Sequence, residues 1–91
     1  MKAVTCHQPG GTEVLRYEEI PDPVPGPDQA AVRVHACSLN HLDLIVRERG
    51  PAAGLPWPHI TGADAAGVVA ALGPGASGVE VGARVIVNPA L

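Results

Sequence analysis

Residues 65–87, AAGVVAALGPGASGVEVGARVIV, contain the pattern G-x-G-x-x-G at positions 73–78. In loops that bind a dinucleotide pyrophosphate, this pattern is followed by a helix, because the N–H groups at the helix N-terminus hold the phosphates. Here the residues after the glycines alternate between apolar and polar and resume as a Val/Ile strand. Pro74 also removes a backbone donor. The sequence therefore predicts a turn between two strands over 73–78.

The composition indicates one compact domain built mainly from strands. The chain has 91 residues, of which 46% are hydrophobic, 11 are glycine and 10 are proline. This length can bury a modest core, and turn residues between short valine- and alanine-rich runs favour an all-β arrangement. The net charge of −3 and the lack of a basic run in the sequence argue against binding to nucleic acid or to a membrane surface.

The cysteines and the N-terminus bear on the cellular compartment. Cys6 and Cys37 form no C-x-x-C pair, which favours reduced thiols over a disulfide, and we expect Cys37 to be buried and inert. The sequence shows no apolar run typical of a signal peptide or long enough to span a bilayer. We therefore expect a cytoplasmic protein.

Hydrophobic periodicity predicts five strands and one helix. The strand at 30–39 alternates, with Val32, Val34 and Ala36 on one face, as expected of a half-buried strand. The proline-rich stretch 21–27 is expected to be an ordered loop rather than an interdomain linker. The other strands are predicted at 2–6, at 13–20, within 60–72 and at 83–88.

Residues 40–50, NHLDLIVRERG, are predicted to form the helix. Asn40 is a suitable N-cap, and the carboxylate of Asp43 at the third helical position favours the helix dipole. Gly50 suits a left-handed C-cap, and Pro51 prevents the helix from continuing.

In this order, the segments resemble the N-terminal GroES-like domain of the medium-chain dehydrogenase/reductase superfamily, which includes zinc alcohol dehydrogenases and quinone oxidoreductases. The matching stretches are PDPVPGPDQAAVRVHACSLNHLDL at 21–44 and LPWPHITGADAAGVVAALGPGASGVEVGARVIV at 55–87. The resemblance implies a mainly β fold, a partly open barrel with one short helix. It also implies a substrate-side catalytic domain over 1–91, truncated before a downstream Rossmann domain that carries the dinucleotide loop.

The activity implied by the resemblance is hydride transfer between NADP or NAD and a small-molecule carbonyl, enone or quinone substrate. The full-length protein would be a homodimer or homotetramer. We expect the 91-residue chain alone to be inactive, because half of a cleft cannot hold the reactants in near-attack geometry.

The resemblance also bears on a catalytic zinc. Zinc members carry a Cys at the start of the helix and a Gly-His-Glu after the next loop, and these positions hold Asn40 and Gly62-Ala63-Asp64 here. The position of the proton-relaying hydroxyl of alcohol dehydrogenases holds Leu42. A catalytic zinc needs about three N or S ligands, whereas Asn is a poor ligand and Ala is none. We therefore predict a zinc-independent site of the quinone-oxidoreductase type.

Zinc could also bind at ligands other than those of the catalytic site. A set made of Cys37, His41, His59 and Asp64 lacks the short spacings of known ligand pairs, so no metal ligand is predicted within the chain. In many members of the superfamily, a structural zinc lies in a Cys-rich lobe, which would begin after residue 91.

The resemblance supplies candidate site residues, each with an ordinary structural alternative. Asn40 is a candidate catalytic and cofactor-binding residue, or only a helix cap. His41 is a candidate for cofactor binding, or an exposed first-turn histidine. Asp64 is a candidate catalytic residue that orients a donor, or an acid that pairs with a nearby arginine. Trp57 and His59 are candidates for the substrate pocket, or packing residues of their loop.

Two other functions remain open at this point. The chain could be a domain of a true zinc-dependent alcohol dehydrogenase. It could also be a free-standing GroES-like binding module without catalysis, because co-chaperonins share this β fold.

Overall fold

The computed structural model describes residues 1–50 and 56–89. It is built from strands with one α-helix in the described part, which confirms the predicted mainly β class, and its sheets are open. The elements are β1 (Lys2–Cys6), a 3-10 turn (Thr12–Val14), β2 (Leu15–Glu19), β3 (Ala30–Cys37), α1 (His41–Arg49), β4 (Ala65–Leu72) and β5 (Arg84–Ile86).

The chain forms two compact units. Met1–Pro21 and Leu39–Ala63 form the first, named the helix unit because it contains α1. Asp22–Ser38 and Asp64–Leu91 form the second, named the sheet unit because it contains the three-stranded sheet. In the described residues, no helix has the length and apolar character needed to cross a membrane.

In the helix unit, β1 and β2 form an antiparallel pair, from Lys2 opposite Glu19 to Cys6 opposite Leu15. The second strand begins later than predicted, because residues Thr12–Val14 form a 3-10 turn. The carboxylate of Glu13 accepts a hydrogen bond from the Gly11 N–H at 3.0 Å, and this bond holds the chain in the turn. Val14, at the end of the turn, is buried together with Thr5 and Cys6.

The helix begins and ends close to the predicted residues. Asn40 has extended backbone angles, and its N–H donates to a carboxylate oxygen of Asp43 at 2.9 Å, as in a capping box. Gly50 ends the helix with φ of 88° and ψ of 162°, so φ is positive as predicted but the angles are not those of the left-handed helical region. The predicted effect of Pro51 lies outside the described residues.

In the sheet unit, β3, β4 and β5 form an antiparallel sheet in that order. Gly67 lies at the centre of β4, where a Cβ atom would be 2.0 Å from the backbone oxygen of Arg33. Only glycine permits this close approach of two strands. Val69, on the same face of β4 as Gly67, is 2% exposed and is the most buried apolar side chain among residues 22–38 and 64–89 of the unit.

The predicted alternation along β3 is only partly correct, because the strand contains irregularities in register. Val34 lies opposite Gly67, but Ala36 lies opposite Ala66, which is on the other face of β4. The bulge therefore moves Ala36 off the face that it was predicted to share with Val34. The prediction that Cys37 is buried is wrong, since Cys37 is exposed and the buried free cysteine is Cys6.

The glycine-rich segment 73–78 is a turn, as predicted. It follows β4 directly, and Gly75 and Gly78 adopt positive φ angles of 77° and 89°. The chain then continues into β5 rather than into a helix. A Cβ atom at Gly73 would be 1.9 Å from the backbone oxygen of Gly26, so the end of the proline-rich stretch is packed against this turn as an ordered loop.

Candidate functional site

The N-terminus of α1 carries two of the predicted site residues, Asn40 and His41. Both are exposed in the described chain. The Asn40 N–H is occupied by the Asp43 carboxylate, and the Asp43 N–H donates to the Asn40 carbonyl oxygen at 3.0 Å. This carboxylate compensates the positive end of the helix dipole. The first turn is therefore polar, exposed and capped by the carboxylate of Asp43.

Trp57 lies at the other end of α1. Its side chain is 40% exposed, and a Cβ atom at Gly50 would be 3.4 Å from the indole Cζ2 atom. With a rise of about 1.5 Å per residue, the helix separates Gly50 from Asn40 by roughly 15 Å. The structure therefore places Trp57 and Asn40 at opposite ends of the helix.

His59 is fixed through its backbone. It forms an isolated antiparallel bridge with Cys6, in which each N–H donates to the other residue's carbonyl oxygen at 2.8 Å. Cys6 is 1% exposed, whereas His59 is half-buried. The loop before Asp64 is thus attached to the end of β1.

Asp64 belongs to the sheet unit and precedes β4. Its carboxylate oxygen Oδ2 accepts a hydrogen bond from the Ser38 hydroxyl at 2.9 Å. Ser38 follows β3, and the neighbouring residues Cys37 and Ala65 are opposite each other in the β3–β4 register. Ser38 is thus a direct hydrogen-bond partner of Asp64. Sequence reasoning missed Ser38 because only the strand register brings the two residues together.

A second cluster that sequence reasoning missed joins β1 and β2 in the helix unit. The buried Thr5 hydroxyl donates to Oε1 of Glu18, and Nε2 of His7 lies 2.5 Å from the same oxygen. The hydrogen bond from Thr5, followed by that from His7, lowers the pKa of Glu18 from its ordinary value. The signal in the sequence was the spacing of Thr5 and His7, which lie at alternate positions at and just beyond the end of β1.

The described residues, 1–50 and 56–89, contain no group of three or more His, Cys, Asp or Glu side chains arranged to hold a metal ion. Asn40 supplies an amide and Ala63 a methyl group at the positions where zinc members of the superfamily carry a cysteine and a histidine.

Comparison with known proteins places the chain among characterised relatives. The model of the alcohol dehydrogenase GroES-like domain matches residues 26–90. Quinone oxidoreductase from Pongo abelii is 36% identical over 89 residues, covering 97% of this chain and 27% of that protein. A solved NAD-dependent alcohol dehydrogenase is 47% identical, with a TM-score of 0.84, covering 98% of this chain and 26% of that one.

A cobalt- and zinc-bound thermostable alcohol dehydrogenase from Pyrobaculum aerophilum is 40% identical, with a TM-score of 0.84, and the match covers 94% of this chain and 26% of that one. The chain thus spans about a quarter of the length of these relatives. Because the family model covers most of the sequence and the fold agrees, the chain belongs to the alcohol dehydrogenase GroES-like domain family.

Proposed function

We propose that the chain is the substrate-side catalytic domain of an NAD(P)-dependent oxidoreductase that reduces a quinone, an enone or another carbonyl compound without a catalytic zinc. The observation that carries this proposal is the match over nearly the whole chain to proteins named quinone oxidoreductase and NAD-dependent alcohol dehydrogenase. The family membership supports the reaction class, and the side chains at the helix start support the zinc-free form.

The proposal includes a dinucleotide-binding domain outside residues 1–91. The chain corresponds to only 26–27% of the length of these relatives. Within the chain, the glycine-rich segment 73–78 leads to β5 and not to a helix, so it lacks the helix N-terminus that binds a pyrophosphate. We propose that residues 1–91 supply the substrate side of the cleft and that a downstream Rossmann domain supplies the cofactor phosphates' main binding site.

The start of α1 is suited to the neutral part of the cofactor. Asp43 already provides a carboxylate at the helix N-terminus, which weakens the attraction of that terminus for a phosphate. We therefore assign Asn40, which has both donor and acceptor atoms, to the carboxamide or ribose hydroxyls of the cofactor. His41, exposed beside it, is assigned to a hydrogen bond at the cofactor's edge. The nicotinamide, when bound, supplies the hydride.

Asp64 is assigned the task of orienting the donor that completes the reduction. After hydride addition, an enone needs a proton at its α-carbon and a carbonyl needs one at oxygen. The Ser38 hydroxyl donates to Oδ2 of Asp64, which holds the carboxylate in place, and a carboxylate can accept several hydrogen bonds, one of them from a water molecule. Such a water would point one hydrogen toward Asp64 and donate the other to the substrate as a proton, and the hydroxide left behind would take a proton from solvent.

Trp57 and His59 are assigned to the outer part of the substrate pocket. The length of α1 separates Trp57 from Asn40, so the indole can contribute at the rim and not beside the reacting carbon. The bridge between His59 and Cys6 holds the loop backbone that carries both side chains.

The zinc-free assignment depends on ligand chemistry. Zinc members hold a thiolate at the helix start and an imidazole in the Gly-His-Glu, and this chain has Asn40 and Ala63 at those positions. An alanine has no ligand atom, so the residues present do not fit a catalytic zinc. A structural zinc in a downstream lobe would be compatible with this proposal.

A zinc-dependent alcohol dehydrogenase is the second candidate, because one matched structure of that class binds cobalt and zinc. The metal content of the complete protein separates the two. We expect at most one tightly bound zinc per subunit, and more than one would contradict the zinc-free assignment. Sizing chromatography of the same preparation tests our proposal that the complete protein is a homodimer or homotetramer. We also propose that it functions in the cytoplasm, because both cysteines are free.

The reaction is tested with NADPH and NADH against a panel of quinones and enones, and with NADP⁺ and NAD⁺ against primary alcohols. We expect the complete protein to consume the reduced cofactor with quinones or enones, and oxidation of alcohols alone would contradict the proposal. The 91-residue chain is the matched control. We expect it to show no turnover and no change in NADPH fluorescence, and micromolar binding of NADPH by that chain would contradict the proposed division of labour.

A further inference from the structure

The cationic side chains of the sheet unit lie together on one face of its sheet. This unit contains four acidic residues but no lysine, and its arginines are Arg33 and Arg84. In the sheet register, Arg33 lies opposite Val68, and Val68 lies opposite Arg84. Residues opposite each other on antiparallel strands share a face. The two arginines therefore flank Val68 in one row across β3, β4 and β5.

His35, the unit's only histidine, lies at the same face. A groove of about 560 Å³ is lined by His35, Ala66, Val68, Arg84 and Ile86, together with Gly67 and Val85. A second groove, which extends over the same strands, is lined by Arg33, His35 and Val68 among others. His35 and Val68 line both, so the face is continuous from one arginine to the other.

Among the described residues, neither guanidinium has an ion-pair or side-chain hydrogen-bond partner. The face is also apolar, since Val68 lies in the groove between the charges and Ile86, beside Arg84 on β5, is 83% exposed. The row therefore holds two unpaired guanidiniums with valine between them and isoleucine beside them, in a unit whose other charged side chains are acidic. Its charge is complementary to an acidic ligand with an apolar residue.

We propose that this face, named the Arg33–Arg84 face, binds an extended acidic segment of a partner protein. The site goes beyond the proposed catalytic function and does not depend on it. Two inter-strand spacings separate the two arginine Cα atoms by about 9.5 Å. Flexible arginines can reach carboxylates that lie two positions before and two positions after an apolar residue, because these three side chains share one face of an extended peptide. The groove is open, and an open groove buries too little of a small ligand for tight binding, which favours a longer segment.

The chemistry of the contacts is specific. Each guanidinium can donate two parallel hydrogen bonds to a carboxylate. The apolar residue between the two acidic residues would cover Val68 and the exposed side of Ile86. Such contacts are solvent-exposed ion pairs, so each contributes modestly and weakens with salt.

The test is an NMR titration of the protein with a short peptide of the pattern Glu-x-Leu-x-Glu, in which the two glutamates and the leucine share one face of the extended chain. We expect salt-sensitive shifts at Arg33, Val68 and Arg84. The double variant Arg33→Gln/Arg84→Gln should bind about tenfold more weakly, from roughly threefold per exposed pair. The matched control is Arg49→Gln, which removes the same charge from an exposed position of α1 and should leave the dissociation constant unchanged within about twofold.

Several outcomes would overturn the proposal. These are equal binding by the double variant, an equal loss in Arg49→Gln, equal binding of a peptide with glutamine in place of glutamate, or tighter binding of a single-stranded oligonucleotide. Concentration-dependent shifts at the same residues without peptide would show that a second copy, and not an acidic partner, occupies the face. The two peptide arms use the unaltered protein, so the test holds even if a variant fails to fold.

Discussion

Replacing Gly67 with alanine should separate β3 from β4. A Cβ atom at this position would be 2.0 Å from the backbone oxygen of Arg33, whereas real Cβ contacts below 3.0 Å are essentially never found. The two strands would therefore have to move apart by about 1 Å. The obstructing atom belongs to backbone, so no side-chain rotation can relieve the clash.

The cost follows from this displacement. Overpacking of a tightly packed site costs typically 1–3 kcal/mol, and a shift of about 1 Å would break roughly two ladder hydrogen bonds worth about 1 kcal/mol each. We expect Gly67→Ala to lower the free energy of unfolding by about 3–5 kcal/mol, a large fraction of the stability of a domain of this size. The melting temperature should fall by at least about 12 °C.

Urea unfolding followed by circular dichroism measures this change, and Gly26→Ala is the matched control. A Cβ atom at Gly26 would meet only the end of the flexible Gln29 side chain, at 3.1 Å. The control should therefore stay within about 0.5 kcal/mol of the unaltered protein. If Gly67→Ala lost less than about 1 kcal/mol, the observed β3–β4 register would be wrong, and with it the pairing of Ser38 with Asp64.

Three further predictions concern single residues. Gly50→Ala should cost about 1–3 kcal/mol because φ is positive there, with altered Trp57 fluorescence, and a neutral result would contradict the observed helix end. Because the pKa of Glu18 is lowered, the stability that this carboxylate contributes is complete above the ordinary glutamate pKa of about 4.3 and is lost as pH falls through the lower folded-state pKa. In a plot of unfolding free energy against pH, Glu18→Gln should therefore reduce the fall at acid pH. Parallel plots for the variant and the unaltered protein would refute this. Ser38→Ala in the complete enzyme should lower kcat about tenfold with little change in KM and alter the pH profile if it positions Asp64, whereas an unchanged profile would mean that the hydrogen bond is only structural.

The helix could be predicted from sequence because its determinants are local. Asn40, Asp43 and Gly50 act on backbone within a turn of themselves, so their roles did not depend on distant parts of the chain. The turn at 73–78 was predictable for a related reason, since the residues that follow it have strand periodicity.

Contacts that depend on how β3 pairs with β4 and β4 with β5 could not be predicted from the sequence. Alternation along β3 is the same whether or not a bulge follows Val34, so it could not show that Ala36 changes face. The bond between Ser38 and Asp64 joins residues 26 positions apart and depends on that register. The row from Arg33 to Arg84 depends on it in the same way.

We propose above all that the complete protein transfers hydride from a reduced nicotinamide cofactor without a catalytic zinc. The most direct test measures enone reduction with NADPH deuterated at C4, in one preparation that has been dialysed against a strong chelator and analysed for zinc. We expect deuterium at the β-carbon of the product and a rate within about twofold of the untreated protein. The proposal would be contradicted if the untreated protein held more than one zinc per subunit, if removal of that zinc abolished the activity, and if only added zinc restored it.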